Sequence, residues 1–329
     1  MGNKKSSLLF LAILFFLLLI TIVVSLSVGA ITVWPFDLLK ELNPELLKLR
    51  LARVILGVIV GASLSVAGCI LQGLLRNPLA EPYSLGISSG AGLGGVIAIV
   101  SGGTNLALGI HSLPLFAFIG AVATMALVYN LARIGGRIPI QSLILAGVIV
   151  GAVFSSILLF LISFTQNELA RDALWWLLGN LQIYDMKLLI VASALSLSGI
   201  IAAQFFAREL NIISLGEEEA IHLGINIETV KKILFVAASL ITASSVASCG
   251  MIGFVGLIIP HLMRFMIGPD HRSLIPGSAL LGAIFLVICD TFARTVLLPA
   301  EIPIGAITAI IGGPFFIYLM RSTRKMVFK

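Results

Sequence analysis

The chain of 329 residues is 59% hydrophobic and 11% charged, with a mean hydropathy of +1.13. A soluble domain is about 25% charged, so this composition excludes an ordinary soluble fold, a disordered chain and a disulfide scaffold, and puts the chain in a bilayer. The excess of 21 Lys and Arg over 15 Asp and Glu then reads as cytoplasmic loop charge, with no nucleic acid implied.

A charge costs about 2.5–3.5 kcal/mol at the bilayer centre, so charge-free runs mark the spans. They are 6–36, 54–75, 82–132, 138–167, 188–207, 233–263, 273–289 and 302–320. A span needs about 20 residues. Run 82–132 therefore divides near Ser101-Gly102-Gly103 and Pro114, and run 233–263 divides near Ser248-Cys249-Gly250. The prediction is an all-α polytopic membrane protein of about ten transmembrane helices, one domain over residues 1–329, with its first span at about 7–30.

That first span follows Lys4-Lys5 and is too long for the apolar core of a signal peptide, about 7–15 residues, so it reads as an uncleaved helix. With the N-terminus inside, an even number of spans returns the C-terminus to the same side. Seven of the cations, Lys40, Lys48, Arg50, Arg53, Arg171, Lys187 and Arg294, then fall outside and the other 14 inside, as the positive-inside rule asks.

Several motifs have bland readings. Gly90-Ala91-Gly92-Leu93-Gly94-Gly95 fits GxGxxG, but it lies in a charge-free run without a following acid, which favours tight helix packing. The pairs Gly57/Gly61, Gly86/Gly90, Gly90/Gly94 and Gly147/Gly151 carry the same small-xxx-small meaning. Gly86-Ile87-Ser88-Ser89-Gly90 fits GxSxG without the His/Asp partners of a hydrolase. His111, His222, His261 and His271 have no metal-ligand spacing, and Cys69, Cys249 and Cys289 read as buried thiols. The chain has no GxxxxGK[ST] loop, so ATP-driven transport would need another polypeptide.

Two regions are more informative. Arg50 and Arg53, three apart, share a helix face at the outer entrance of the second span, and Arg294 lies one turn beyond Asp290. They read either as headgroup anchors with an Asp290–Arg294 pair, or as a cationic ring for an acidic partner. The cytoplasmic stretch 207–232 carries Glu217-Glu218-Glu219. Ser214-Leu215-Gly216-Glu217 reads as a capping box, Gly224 as a helix stop and Asn226 as the next cap. Ala220, Ile221 and Leu223 add an apolar patch, so this loop is either a solvated turn or a docking element.

Taken in order, these residues resemble the FecCD-type permease subunits of ABC importers for iron–siderophore complexes, haem and cobalamin. The likeness runs through Arg50-Leu51-Ala52-Arg53, Gly68, Gln72, Arg76-Asn77-Pro78-Leu79-Ala80-Glu81-Pro82, Leu145-Ala146-Gly147-Val148 and Trp176-Leu177-Leu178-Gly179. It continues through Leu215 to Gly224, Gly250 to Leu257, Pro260-His261-Leu262-Met263-Arg264, Asp270-His271-Arg272, Glu301-Ile302-Pro303-Ile304-Gly305 and Gly312-Gly313-Pro314. One departure is Ala52, where the family often has Pro, so the second helix is expected to start less abruptly.

The resemblance implies a type II importer fold, in which spans two to five and seven to ten look like inverted repeats. It implies a homodimer in a bacterial inner or plasma membrane with both termini cytoplasmic, two cytosolic ABC ATPase subunits, an extracytoplasmic binding protein, and no cofactor, metal or catalytic residue of its own. Arg50, Arg53 and Arg294 would dock the binding protein. Leu215, Gly216, Glu217, Glu218, Glu219, Ala220, Leu223 and Gly224, within a coupling segment of about 208–228, would meet the ATPase. Asn77, Leu79, Ile140 and Gln141 would form the cytoplasmic gate. A ferric siderophore is the expected cargo, with haem, cobalamin and molybdate-type oxyanions as alternatives. A secondary transporter is the rival class, but Asp290 is the only acid within a predicted span.

Overall fold

The computed structural model describes residues 4–29, 32–35, 44–102, 112–135, 138–182 and 185–327. Gly103, Lys40 and His111 of the sequence reading lie outside these. Ten helices correspond to the expected spans: α1 (Lys4–Ser27), α2 (Pro44–Leu74), α3 (Ile87–Val100), α4 (Ser112–Ala132), α5 (Ile140–Ser163), α7 (Met186–Phe205), α10 (Ile227–Cys249), α11 (Val255–Ile267), α12 (His271–Ala293) and α13 (Ile304–Val327). Between them lie α6 (Asn167–Leu177), α8 (Ala207–Leu215) and α9 (Glu217–His222). Both long apolar runs divide where expected: α3 ends at Val100 and α4 starts at Ser112, with Pro114 in its first turn, where its missing N–H costs nothing, and α10 ends at Cys249 before α11 starts at Val255.

The charge-free criterion misplaces one start. Helix α2 begins at Pro44, not near residue 54, because Lys48, Arg50 and Arg53 lie within its first three turns. Ala52 is consequently buried in mid-helix, and the softer start expected there does not arise. At 1.5 Å per residue the 31 residues of α2 reach about 46 Å, well beyond the roughly 30 Å of a hydrocarbon core.

Helices α2 and α10 form the centre, each with 78% of its apolar window buried, whereas α1 has 11% and faces the surroundings. Close backbone contact builds that centre. A Cβ on Gly61 would lie 2.3 Å from the Gly282 oxygen of α12, and one on Gly68 would lie 1.8 Å from the Gly256 oxygen of α11, so only glycine fits these crossings. In the Gly90–Gly95 run, Gly90 and Gly94 pack on α4 in the same way, with Gly94 against the Phe116 oxygen, and Gly95 packs on the Trp176 ring, as the packing reading expects.

The repeat that counting residues leaves undecided is visible in two matched caps. The short helix α3 starts from Gly86 at φ +73, which rests on Gly147 and Gly151 of α5. The short helix α11 starts from Phe254 at φ +67, whose ring rests on Gly312 of α13. In each half the third element is shortened and leans by its left-handed cap on the fifth. Five spans separate the equivalents, so the two copies run in opposite directions. Irregular backbone at these caps is tolerated at membrane depth because protein surrounds it.

Candidate functional site

Two groups of residues mark the ends of α2. At its start, Arg53 forms a fork on two carboxylates. Its Nε donates to Asp290 Oδ1 and Oδ2 at 2.9 and 3.1 Å, and its Nη1 and Nη2 donate to the two oxygens of Glu301, each at 3.0 Å. Gln182 adds a third bond to Glu301 at 3.1 Å. Asp290 is 1% exposed and also lies 3.7 Å from Arg294, the intrahelical pair expected from the spacing. A carboxylate buried in a span needs such partners, since desolvation costs several kcal/mol per ion.

The other two arginines grip α1. Arg50 donates through Nη1 to the Leu26 oxygen at 2.8 Å, and Arg294 donates through Nη2 to Ser25 O and, at 2.8 Å, to Ser25 Oγ. The last carbonyls of a helix have no partner within it, and a cation there meets both their hydrogen-bond need and the helix dipole. Arg50 and Arg294 are 8% and 7% exposed, so both charges are turned inward. The structure thus brings the three predicted arginines together as an internal clamp joining α1, α2, α12 and the segment before α13. Sequence reasoning missed Gln182 and the Arg53–Asp290 and Arg53–Glu301 bonds. The available signal was Asp290 itself, whose burial demands more than one cation.

At the other end, α8 and α9 form an elbow after α7. Ser214 donates to Leu210 O at 2.6 Å, so it continues α8 and does not cap α9; the predicted capping box is not made. Gly216 joins the helices, and Glu217 instead pairs with Lys231 of α10 at 2.8 Å. Gly224 at φ +75 ends the elbow, and Asn226 caps α10 by accepting from Thr229 N at 3.2 Å, both as predicted. The apolar patch is composed differently from the expectation: Ala220 is fully buried, while Leu215, Ile221 and Leu223 are 77%, 64% and 65% exposed.

The predicted gate residues flank this end. Asn77 turns the chain after α2, its Oδ1 accepting from Leu79 N at 3.0 Å, and this turn leaves Leu79 exposed. Ile140 and the exposed Gln141 open α5. Behind the turn, Gln72 donates to Gly256 O at 3.0 Å and accepts from Arg264, tying α2 to α11. The Trp176-Leu177-Leu178-Gly179 stretch is a backbone junction. Leu178 and Gly179 accept from Gly305 N and Ile304 N at 3.0 and 3.1 Å, and Asn180 N donates to Cys249 O at 2.8 Å.

The fold of this helical bundle, and the sequence that builds it, match known proteins along most of the chain. The FecCD transport family model covers residues 17–322. The chain belongs to the FecCD transport family. Its relatives include the hemin transport system permease HmuU of Yersinia pestis, 38% identical over 99% of both chains. The cobalamin import permease BtuC of Halobacterium salinarum is 42% identical over 83% of this chain and 72% of that one. A solved metal-chelate-type ABC transporter in an inward-facing conformation superposes with a TM-score of 0.84 at 32% identity, covering 94% of this chain and 98% of that one. This FecCD-family chain is therefore a multi-pass ABC importer permease.

Proposed function

We propose that the protein is the membrane subunit of an ATP-driven importer for a ferric siderophore, working as a homodimer with two cytosolic ATPases and an extracytoplasmic binding protein. Haem, cobalamin and molybdate-type oxyanions are the alternative cargoes. The names of the relatives support the chelate class, with Fe(3+)-citrate and iron(3+)-hydroxamate permeases of Bacillus subtilis beside the hemin and cobalamin systems. The observation that carries the coupling is the elbow: Leu215, Ile221 and Leu223 stand exposed on a short helix pair otherwise rich in acids. Exposed apolar side chains rimmed by charge mark an interaction surface.

In this reading the elbow and both termini face the cytoplasm. The turn at Asn77 and Leu79, with Ile140 and Gln141, closes the inner mouth when the protomers are together. The ATPases grip the elbows and move the two protomers as rigid bodies. The clamp end faces outward. There Arg50, Arg53 and Arg294 dock an acidic surface of the binding protein.

The test is uptake into proteoliposomes holding the permease and its ATPase, with the cognate binding protein supplied outside. Ferric hydroxamate should accumulate only with ATP, and faster than haemin, cobalamin or molybdate. Accumulation driven by an ion gradient without ATP would overturn the importer reading.

A further inference from the structure

Beside the elbow lies a cavity of about 1430 Å³, larger than the roughly 300–1,000 Å³ of an ordinary small-molecule site. Its walls come from α1, the end of α2, α8, the end of α11 and the start of α12. Leu215 of the elbow borders it, but the coupling and gate readings leave its cations, Arg76, Arg264 and Arg272, without a role.

The charges on its walls do not balance. Arg76, Arg264 and Arg272 line the cavity with a single acid, Asp270. Asp270 is already committed to Arg272, at 2.5 Å, and the hydrogen bonds from Arg272 hold its carboxyl well below the usual range. Among the described residues no carboxylate pairs with Arg76 or Arg264; the partner of Arg264 is the neutral Gln72 amide. Arg264 is half-buried, and a desolvated guanidinium without a counter-charge is costly. His271 provides a second sign. It is 4% exposed, its Nδ1 is engaged with Asn211 Oδ1 at 2.7 Å, and its Nε2 has no partner.

The remaining wall is apolar. Leu8 and Leu11 of α1 and Ile267 of α11 line it, and α1 is the helix most exposed to the surroundings. The cavity therefore combines unpaired cations at the level of the helix ends with an apolar side beside a lipid-facing helix. A soluble anion would satisfy the cations and leave the apolar wall wet. A phospholipid satisfies both.

We infer that this cavity binds an anionic phospholipid, its phosphate held by Arg76 and Arg264 and its chains lying along α1. Basic pockets between spans are the established form of such sites. The site needs neither substrate nor ATPase.

The test uses the full-length permease, purified alone and placed in phosphatidylcholine vesicles with or without phosphatidylglycerol. After stringent detergent washing, the wild type should retain phosphatidylglycerol several-fold over phosphatidylcholine and melt at a higher temperature with it. Arg264→Gln should lose that preference. Arg76→Gln, an exposed change that leaves the Gln72 bond intact, should lose most of it, whereas Lys232→Gln at another inner helix end should not. Equal retention by wild type and Arg76→Gln would overturn the inference. So would inorganic phosphate giving the same thermal shift, which would make this a free-anion site. Absence of any lipid preference, with Arg76→Gln instead losing ATPase capture, would assign the cavity to acidic side chains of the ATPase and also overturn it.

Discussion

The two ends of α2 treat charge in opposite ways. At its start, Arg50, Arg53 and Arg294 are spent on Asp290, Glu301 and the terminal carbonyls of α1. At its finish, Arg76 and Arg264 stand without carboxylates among the described residues, and Leu215, Ile221 and Leu223 stand without cover. Satisfied groups hold a chain together; unsatisfied ones call for something outside it. The clamp end therefore reads first as structure, and the elbow end as the place where partners act.

The largest effect should come from the elbow. Ile221→Asp with Leu223→Asp should abolish ATP-driven uptake while the melting temperature of the permease stays unchanged, since both side chains are exposed. Ala220→Asp is a poorer probe, because Ala220 is fully buried and the variant would damage the elbow itself. The comparison breaks if uptake by the double variant is normal.

Next comes the clamp. Asp290→Asn leaves Arg53 and Arg294 facing one fewer carboxylate, and loss of one partner of a buried pair costs about 3–5 kcal/mol. Denaturation in detergent should show a loss of that size, with little change in ATPase capture by the folded fraction. A loss within about 0.5 kcal/mol, the range of an ordinary surface change, would show that the clamp is not structural.

A smaller effect is expected at Glu81, on the turn between α2 and α3. Burial pushes its carboxyl up to about 6, against a hydrogen bond from the Phe254 backbone that pulls it down. With the folded value raised, its contribution is full below about 4.5 and is lost as the pH rises through about 6. Wild type should therefore lose up to about 2 kcal/mol relative to Glu81→Gln across that window, at 1.36 kcal/mol per pKa unit. Parallel thermal melts at several pH values check this, and parallel curves would contradict it.

The smallest effect concerns docking at the clamp end. Arg50→Glu should weaken binding-protein capture several-fold, and the wild-type complex should loosen as salt screens the docking charges; Arg50 is only 8% exposed, so part of the loss acts through its contact with α1. The same change sets a carboxylate against the Leu26 carbonyl, so the melting temperature must be read beside it. A compensating Glu→Arg change in the binding protein should restore capture without restoring that melting temperature.

The spans were legible because charge is excluded from hydrocarbon, and both breaks followed from length alone. The start of α2 was not, because Arg53 is neutralised by Asp290 and Glu301, more than two hundred residues away in the chain, and Arg50 bonds the end of α1. The repeat hides for a related reason. Gly86 and Phe254 take the same left-handed conformation but share no side-chain chemistry, so no count of glycines aligns them. Gly224 and Asn226 were readable as local signals. Ser214 was not, since its hydroxyl chose the carbonyl of Leu210 one turn back over the cap that its spacing allowed.

The division of labour between the ends is tested most directly by one measurement: capture of the cognate ATPase by purified Ile221→Asp/Leu223→Asp permease, with Asp290→Asn permease and wild type in parallel. The elbow variant should melt like wild type and fail to hold the ATPase, while the clamp variant should melt earlier and hold it. An elbow variant that captures the ATPase as wild type does would contradict the account.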